Sequence, residues 1–247
     1  MKKNIYFLLI ASLLSAHMQA FTPDFVTFTP MDEPENNYFQ WPEKGRLVWG
    51  DYNNDGYLDA FLISGGWSIL YINENGTLRG TDPGTGGLKQ ASAAFIDYNN
   101  DGNLDLIFTG RDGDNGPFIT RLYTNSGAPG YTFVQDTCSS FQGVYAEDHS
   151  TRLLSVADFN NDGWPDILIN GAGDGRILKL YKNNKGTFAE AVHPVDGTRA
   201  FPGLNGGSAS WGDIDRDGYM DFVVSGYENG AVTYVFHNNG DETFSLL

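Results

Sequence analysis

The chain has little cysteine, histidine or positive charge: one cysteine, four histidines and 15 lysines and arginines in 247 residues. A single Cys138 excludes an intramolecular disulfide framework, and we read it as a partly buried, inert thiol rather than a nucleophile. The histidines, His17, His149, His193 and His237, show no His-x-x-x-His or His-Glu pairing, so the helical zinc-hydrolase pattern is missing. Basic residues are outnumbered by 31 acids, for a formal net charge of −16, which argues against nucleic acid or an anionic membrane as partner. Beyond the first twenty residues there is no sustained helical period, and no apolar run approaches the ~18 residues of a membrane span.

The first twenty residues read as a secretory signal. Lys2 and Lys3 form a basic start, Ile5 to Ala16 is largely apolar, and Gln19-Ala20 offers a cleavage point before Phe21. Phe21 stands where a lipid-anchored chain would need cysteine. We therefore expect residues 1–20 to be a signal peptide and 21–247 a soluble exported domain, secreted or held at the cell surface or in the periplasm. Loss of the signal removes two lysines and no acid, moving the formal charge from −16 to −18.

Thirteen of the 31 acids fall in a nine-residue pattern that occurs four times. Counted from its first aspartate, it places Asp51, Asn53, Asp55 and Asp59 at positions 1, 3, 5 and 9 in the first copy. The others read Asp97, Asn99, Asp101 and Asp105; Asp158, Asn160, Asp162 and Asp166; and Asp213, Asp215, Asp217 and Asp221. Position 6 is glycine each time. Alternate oxygen-bearing side chains around a glycine turn are the arrangement of a hard-cation loop, so each is expected to hold one Ca²⁺, about four in all. Position 7 (Tyr57, Asn103, Trp164, Tyr219) would supply a backbone carbonyl, which leaves its side chain free to vary. An EF-hand is excluded, because position 12 holds Leu62, Phe108, Ile169 and Val224 rather than an acid. Four bound Ca²⁺ would bring the charge to about −10.

Each loop is framed by strand-like segments. Before it, alternate positions are apolar (Leu47-Val-Trp49-Gly50, Ala93-Ala-Phe95-Ile96, Leu154-Ser-Val156-Ala157, Ala209-Ser-Trp211-Gly212), the pattern of a strand with one buried face. The residue next to the loop is mostly small, as expected where strands crowd. After it, a continuous apolar run (60–63, 106–108, 167–169, 222–224) fits a strand sandwiched between sheets. A third segment carries aromatic-x-Asn (Tyr71/Asn73, Tyr123/Asn125, Tyr181/Asn183, Phe236/Asn238), and a glycine-bearing turn leads to Leu78, Phe133, Phe188 or Phe244 opening a fourth strand. Loop starts are 46, 61 and 55 residues apart. Four-strand units of that size predict an all-β fold, a β-propeller of four-stranded antiparallel blades. Phe25 precedes Asp51 by 26 residues, close to the 25 between Phe133 and Asp158 and between Phe188 and Asp213. Phe25 to Thr29 is thus expected to pair as an outer strand that closes the last blade, although the strand opened by Phe244 competes for that place. Two arrangements remain open: a four-bladed ring, or the front part of a longer propeller.

Stretches such as Asp158-Phe-Asn-Asn-Asp-Gly-Trp-Pro-Asp166, followed by Leu178-Lys-Leu-Tyr-Lys-Asn183, resemble FG-GAP/VCBS repeats, the units of integrin-alpha-type propellers and of many exported bacterial proteins. The resemblance covers roughly 25–247 and implies Ca²⁺ in each hairpin loop. Gly-Ala-Pro itself occurs only at Gly127-Ala128-Pro129, in another part of a blade, while the matching position holds Gly110-Arg111. The bacterial variety is the nearer likeness, and integrin ligand recognition is not carried over.

The leading functional expectation is a non-enzymatic, calcium-stabilised extracellular scaffold that binds protein or glycan. Two alternatives stand beside it. A carbohydrate-active lyase or hydrolase would draw its acid and base from Glu33, Glu35, Asp112, Asp114, Glu147 or Asp148, with His149 beside the last two. A lectin would use Trp41, Trp67 or Tyr145 as sugar platforms. Trp49 and Trp211, on the alternating face, are read as core.

Overall fold

The computed structural model describes residues 46–145 and 152–247, all within the unit Trp41–Leu247. The expected signal peptide, the Phe25 segment, Trp41 and the acids Glu33, Glu35, Glu147 and Asp148 lie outside the described residues.

Among the described residues the chain forms four antiparallel four-stranded sheets, each from consecutive strands. The first holds β1 (Arg46–Gly50), β2 (Asp59–Ser64), β3 (Trp67–Glu74) and β4 (Thr77–Thr81). The second holds β5 (Lys89–Ile96), β6 (Asp105–Arg111), β7 (Phe118–Asn125) and β8 (Phe133–Asp136). The third holds β9 (Leu154–Ala157), β10 (Asp166–Gly173), β11 (Gly175–Asn183) and β12 (Phe188–Glu190). The fourth holds β13 (Asn205–Gly212), β14 (Asp221–Tyr227), β15 (Ala231–Asn238) and β16 (Phe244–Leu246). These are the blades the sequence predicts, and each acidic loop joins the first strand of a blade to its second. No helix among the described residues is long and apolar enough to cross a membrane.

Strand alternation assigns the apolar residues to two faces of each blade. Phe61 and Ile63 pack with Leu106 and Phe108 between blades 1 and 2. Ile107 and Leu122 pack with Ile167 and Ile169 between blades 2 and 3, and Leu168 and Leu180 with Phe222 and Val224 between blades 3 and 4. Most of β6 and β10 is therefore buried on both faces, and β2 is buried throughout although its Ala60–Leu62 face meets no other described blade. β14 departs from that expectation: Phe222 and Val224 are buried against blade 3, but Val223 on its other face is 40% exposed.

Trp49 is corrected in the same way. It is 48% exposed, because its face of β1, shared with Leu47, looks away from blade 2 and meets no other described blade. Its counterpart Trp211 looks toward blade 3 and packs on Phe222 at 5.1 Å, so the core reading holds there. Cys138 is also corrected: it is exposed, on the turn after β8, where its N–H donates to Asp136. No hydrogen bond, ring contact or apolar cluster joins blade 4 to blade 1 among the described residues, and β16 occupies the outer place in blade 4. The array is four blades in series.

Candidate metal centres

All four loops fold by the same hydrogen bonds. The aspartate at position 1 accepts from the backbone N–H groups of positions 5 and 6, at 3.0 and 2.9 Å for Asp51 and 3.2 and 3.1 Å for Asp213. The position-3 oxygen accepts from the position-5 N–H, as Asn53 does at 3.1 Å, and the position-5 carboxylate accepts from the position-7 N–H, as Asp55 does at 2.8 Å. Position 4 lies in the left-handed region (Asn54, Asn100, Asn161 and Arg216 at φ 57, 54, 58 and 66°), where Asn is the best tolerated residue after glycine. The side chains at positions 1, 3 and 5 are thus turned inward over one tight turn.

Position 9 does something the metal reading alone does not predict. Asp59, Asp105, Asp166 and Asp221 are fully buried. One oxygen of each accepts from the N–H of position 2 (3.0, 3.2, 3.0 and 2.8 Å), and the other from the asparagine N–H of the aromatic-x-Asn strand, at 2.7 Å in every blade. The carboxylate pins loop to third strand. Burial, together with repulsion from Asp101 and Asp97, pushes Asp105 up to about 7; Asp166 rises to about 7 by burial with Asp162 and Asp158 alongside, and Asp59 is raised for the same reasons.

Carboxylates this crowded call for positive charge, and no lysine or arginine among the described residues pairs with them. The ion pairs formed by lysines and arginines among the described residues go to Glu74, Asp112, Asp114, Glu190, Asp196 and Glu242, none of them in a loop. All-oxygen donors with uncompensated charge fit a hard divalent cation. The fourth loop alone carries an acid at position 3: there Asp213, Asp215 and Asp217 have oxygens within 4.8 Å of one another, as do Asp215, Asp221 and the ring nitrogen of His237. In the first three loops position 3 is an amide. His237 was not among the sequence-expected site residues; its Nδ1 lies 3.1 Å from Asp221 and 3.7 Å from Asp215. The signal for it was present, since it sits between the aromatic and the asparagine of the recurring triplet.

The residues proposed for catalysis or sugar binding that fall within the described structure are otherwise engaged. Asp112 pairs with Arg121 at 3.1 Å, and Asp114 with Lys89 at 2.5 Å, which together with their hydrogen bond holds the Asp114 carboxyl below its ordinary range. Tyr145 stacks on Phe118 at 4.3 Å, with the Arg111 guanidinium over both rings, and Trp67 packs on the blade 1 cluster.

Consecutive four-stranded blades, each bearing an acidic loop between its first two strands, define a repeat β-propeller protein. The family model described as FG-GAP-like repeat matches residues 51–108, 97–169 and 158–224, and the chain belongs to that family. It is 30% identical over 102 residues to integrin alpha-6 of Gallus gallus, covering 35% of this chain and 9% of that protein. It is 26% identical over 144 residues to cartilage acidic protein 1 of Mus musculus, covering 56% of this chain and 21% of that one. The chain thus spans a small part of the curated relatives it matches. Among solved structures it resembles an Agrocybe aegerita lectin described as recognising non-reducing terminal N-acetylglucosamine, with a TM-score of 0.53 and 20% identity over 83% of this chain and 52% of that one. That likeness is one of fold.

Proposed function

We propose that the protein is an exported, calcium-stabilised propeller scaffold that binds protein or glycan outside the cell and carries no catalysis of its own. One observation carries the calcium reading: thirteen acids in four loops have no lysine or arginine partner among the described residues, while six acids outside the loops do. Positions 1, 3, 5 and 9 would hold the ion through side chains and position 7 through its carbonyl. Calcium would supply charge compensation and cross-link the turn. The scaffold reading is supported by relatives that include an integrin and a cartilage protein, and glycan remains a partner class because a lectin shares the fold. Absence of catalysis is supported by the engagement of Asp112 and Asp114 in ion pairs and by the commitment of the buried carboxylates to backbone N–H groups.

The test is binding and turnover measured together, on arrayed extracellular glycans and matrix proteins, with calcium and with chelator. Calcium-dependent binding without turnover is the expected result. Turnover abolished by one substitution at Glu147 or Asp148 in a folded protein would overturn it in favour of the carbohydrate-active alternative.

A further inference from the structure

The four loops differ in what faces them across the sheet. The position-9 aspartate opens the second strand of its blade, and the residue between the aromatic and the asparagine of the third strand lies opposite it. The pairings Ala60–Tyr71, Leu106–Tyr123, Ile167–Tyr181 and Phe222–Phe236 set Asp59 against Ile72, Asp105 against Thr124, Asp166 against Lys182 and Asp221 against His237. Residues so placed share a face of the sheet, with Cβ atoms about 5 Å apart. Ile72 offers only hydrocarbon. The Thr124 hydroxyl bonds the Tyr98 hydroxyl at 2.7 Å, and the Lys182 ammonium crosses to Glu242 in the last turn of blade 4. His237 instead turns over its own loop, with Nδ1 3.1 Å from Asp221 and 3.7 Å from Asp215.

The same loop departs at position 3. Asn53, Asn99 and Asn160 each donate an amide hydrogen to the position-5 carboxylate at 3.0 Å, which a carboxylate cannot do. With Asp215 in that place, the fourth loop carries four carboxylates where each of the others carries three. The two departures meet, because Asp215 is the residue that shares His237 with Asp221. His237 is not needed to hold Asp221, whose oxygens already accept from the N–H groups of Asn238 and Ile214 at 2.7 and 2.8 Å, as their counterparts do in the other blades. A cation with bonds of about 2.1 Å holds neighbouring donors about 3.0 Å apart in octahedral and about 3.4 Å apart in tetrahedral geometry, close to the spacings around Nδ1. Calcium takes oxygen donors, whereas imidazole beside carboxylates suits zinc and its first-row neighbours.

We propose that the fourth loop prefers a divalent cation of zinc's class over calcium, with Asp215, Asp221 and Nδ1 of His237 as its ligands, while the three loops with asparagine at position 3 keep calcium. The inference rests on the reading of the loops as cation sites, and adds to one of them a nitrogen ligand and a different metal.

The test starts from the purified chain, chelated, reloaded with excess calcium and titrated with Zn²⁺ by calorimetry, with bound metals counted by elemental analysis. One Zn²⁺ per chain should bind and one calcium should leave. In the NMR spectrum the ring of His237 should shift at one equivalent, while those of His149 and His193 stay in place. His237→Thr and Asp215→Asn install residues that blade 2 carries at the same places, Thr124 and Asn99, so both variants should fold. Each should weaken zinc binding by at least the roughly 10–100-fold that loss of a merely supporting residue costs, and the double variant should keep four calcium ions against zinc. Zinc bound with unchanged affinity by His237→Thr, or zinc that moves His149 or His193 instead, overturns the proposal. So does a parent whose four loops all hold calcium against excess zinc, and that result leaves the calcium reading intact. Zinc bound through His237 in a chain that takes calcium in no loop upholds the fourth-loop site and sinks calcium at the other three.

Discussion

At the residue scale the position-9 aspartates carry two duties, as the hinge pin between loop and third strand and as the deepest oxygen donor proposed for the metal. The two can be separated by experiment. Asp162 lies on the exposed part of the third loop and holds only the Trp164 N–H and the Asn160 amide, so Asp162→Ala should lower calcium content by one ion per chain with a modest fall in melting temperature. Asp166→Ala should remove the same ion and also strand the N–H groups of Phe159 and Asn183, costing several kcal/mol at roughly 1–3 for each buried donor. Elemental analysis with thermal melting checks both, and equal destabilisation by the two would contradict this division of roles. The buried carboxylates also set a pH dependence. Asp105 and Asp166 hold their protons in the ion-free fold up to about pH 7 and release them near 3.8 when unfolded, so their contribution to stability is complete below about pH 4 and lost as pH rises through 7. Carboxyl-carbon titration of the chelated protein should find both midpoints near neutrality, and saturating calcium should displace those protons and bring the midpoints down.

At the scale of the strand, the third strand of each blade is the connector, because its asparagine faces two blades at once. Asn183 is fully buried, donates to Tyr98 of blade 2 and Pro165 of its own loop, and accepts from Gly186. Asn183→Ala should cost about 2–5 kcal/mol through the stranded carbonyls, while Asn73→Ala, which breaks no bond to another blade, should cost clearly less. Urea unfolding of the two variants compares them directly, and similar losses would count against the connector role. Much of this was legible in the sequence. Strand order, loop placement and the aromatic-x-Asn strand follow from apolar alternation and the recurring carboxylates, which are local signals. The purpose of the asparagine was not legible, because its partner carbonyl lies 73 to 85 residues away in sequence. The same limit applies to Trp49. Alternation fixes which face a side chain takes, but whether another blade covers that face depends on the array, and here the first and last blades differ from those between them. The glycine–aliphatic plugs, each seated against the preceding blade, were present as Gly87-Leu88, Gly143-Val144 and Gly203-Leu204, but Val144 precedes its loop by 14 residues where Leu88 and Leu204 precede theirs by 9, and so the set escaped the repeat register.

At the scale of the molecule the blades behave as a one-dimensional series, in which blades 2 and 3 are held on both faces by described neighbours and blades 1 and 4 on one. Stability in such an array is the sum of blade terms and junction terms, so opening should begin at the ends. Proposed calcium adds a further term to every blade. Binding only to the folded loop stabilises it by about 2.7 kcal/mol when free calcium is a hundredfold above Kd. Chelation should therefore lower the melting temperature and also broaden the transition, as the loss falls hardest on the blades with a single junction. Hydrogen exchange of the chelated protein should show amides of β6 and β10 as the slowest and those of β14 and β15 as markedly faster. With calcium the difference should narrow. A chelated protein that melts at an unchanged temperature, with uniform protection from blade 2 to blade 4, would show that the acidic loops take no part in holding the series together.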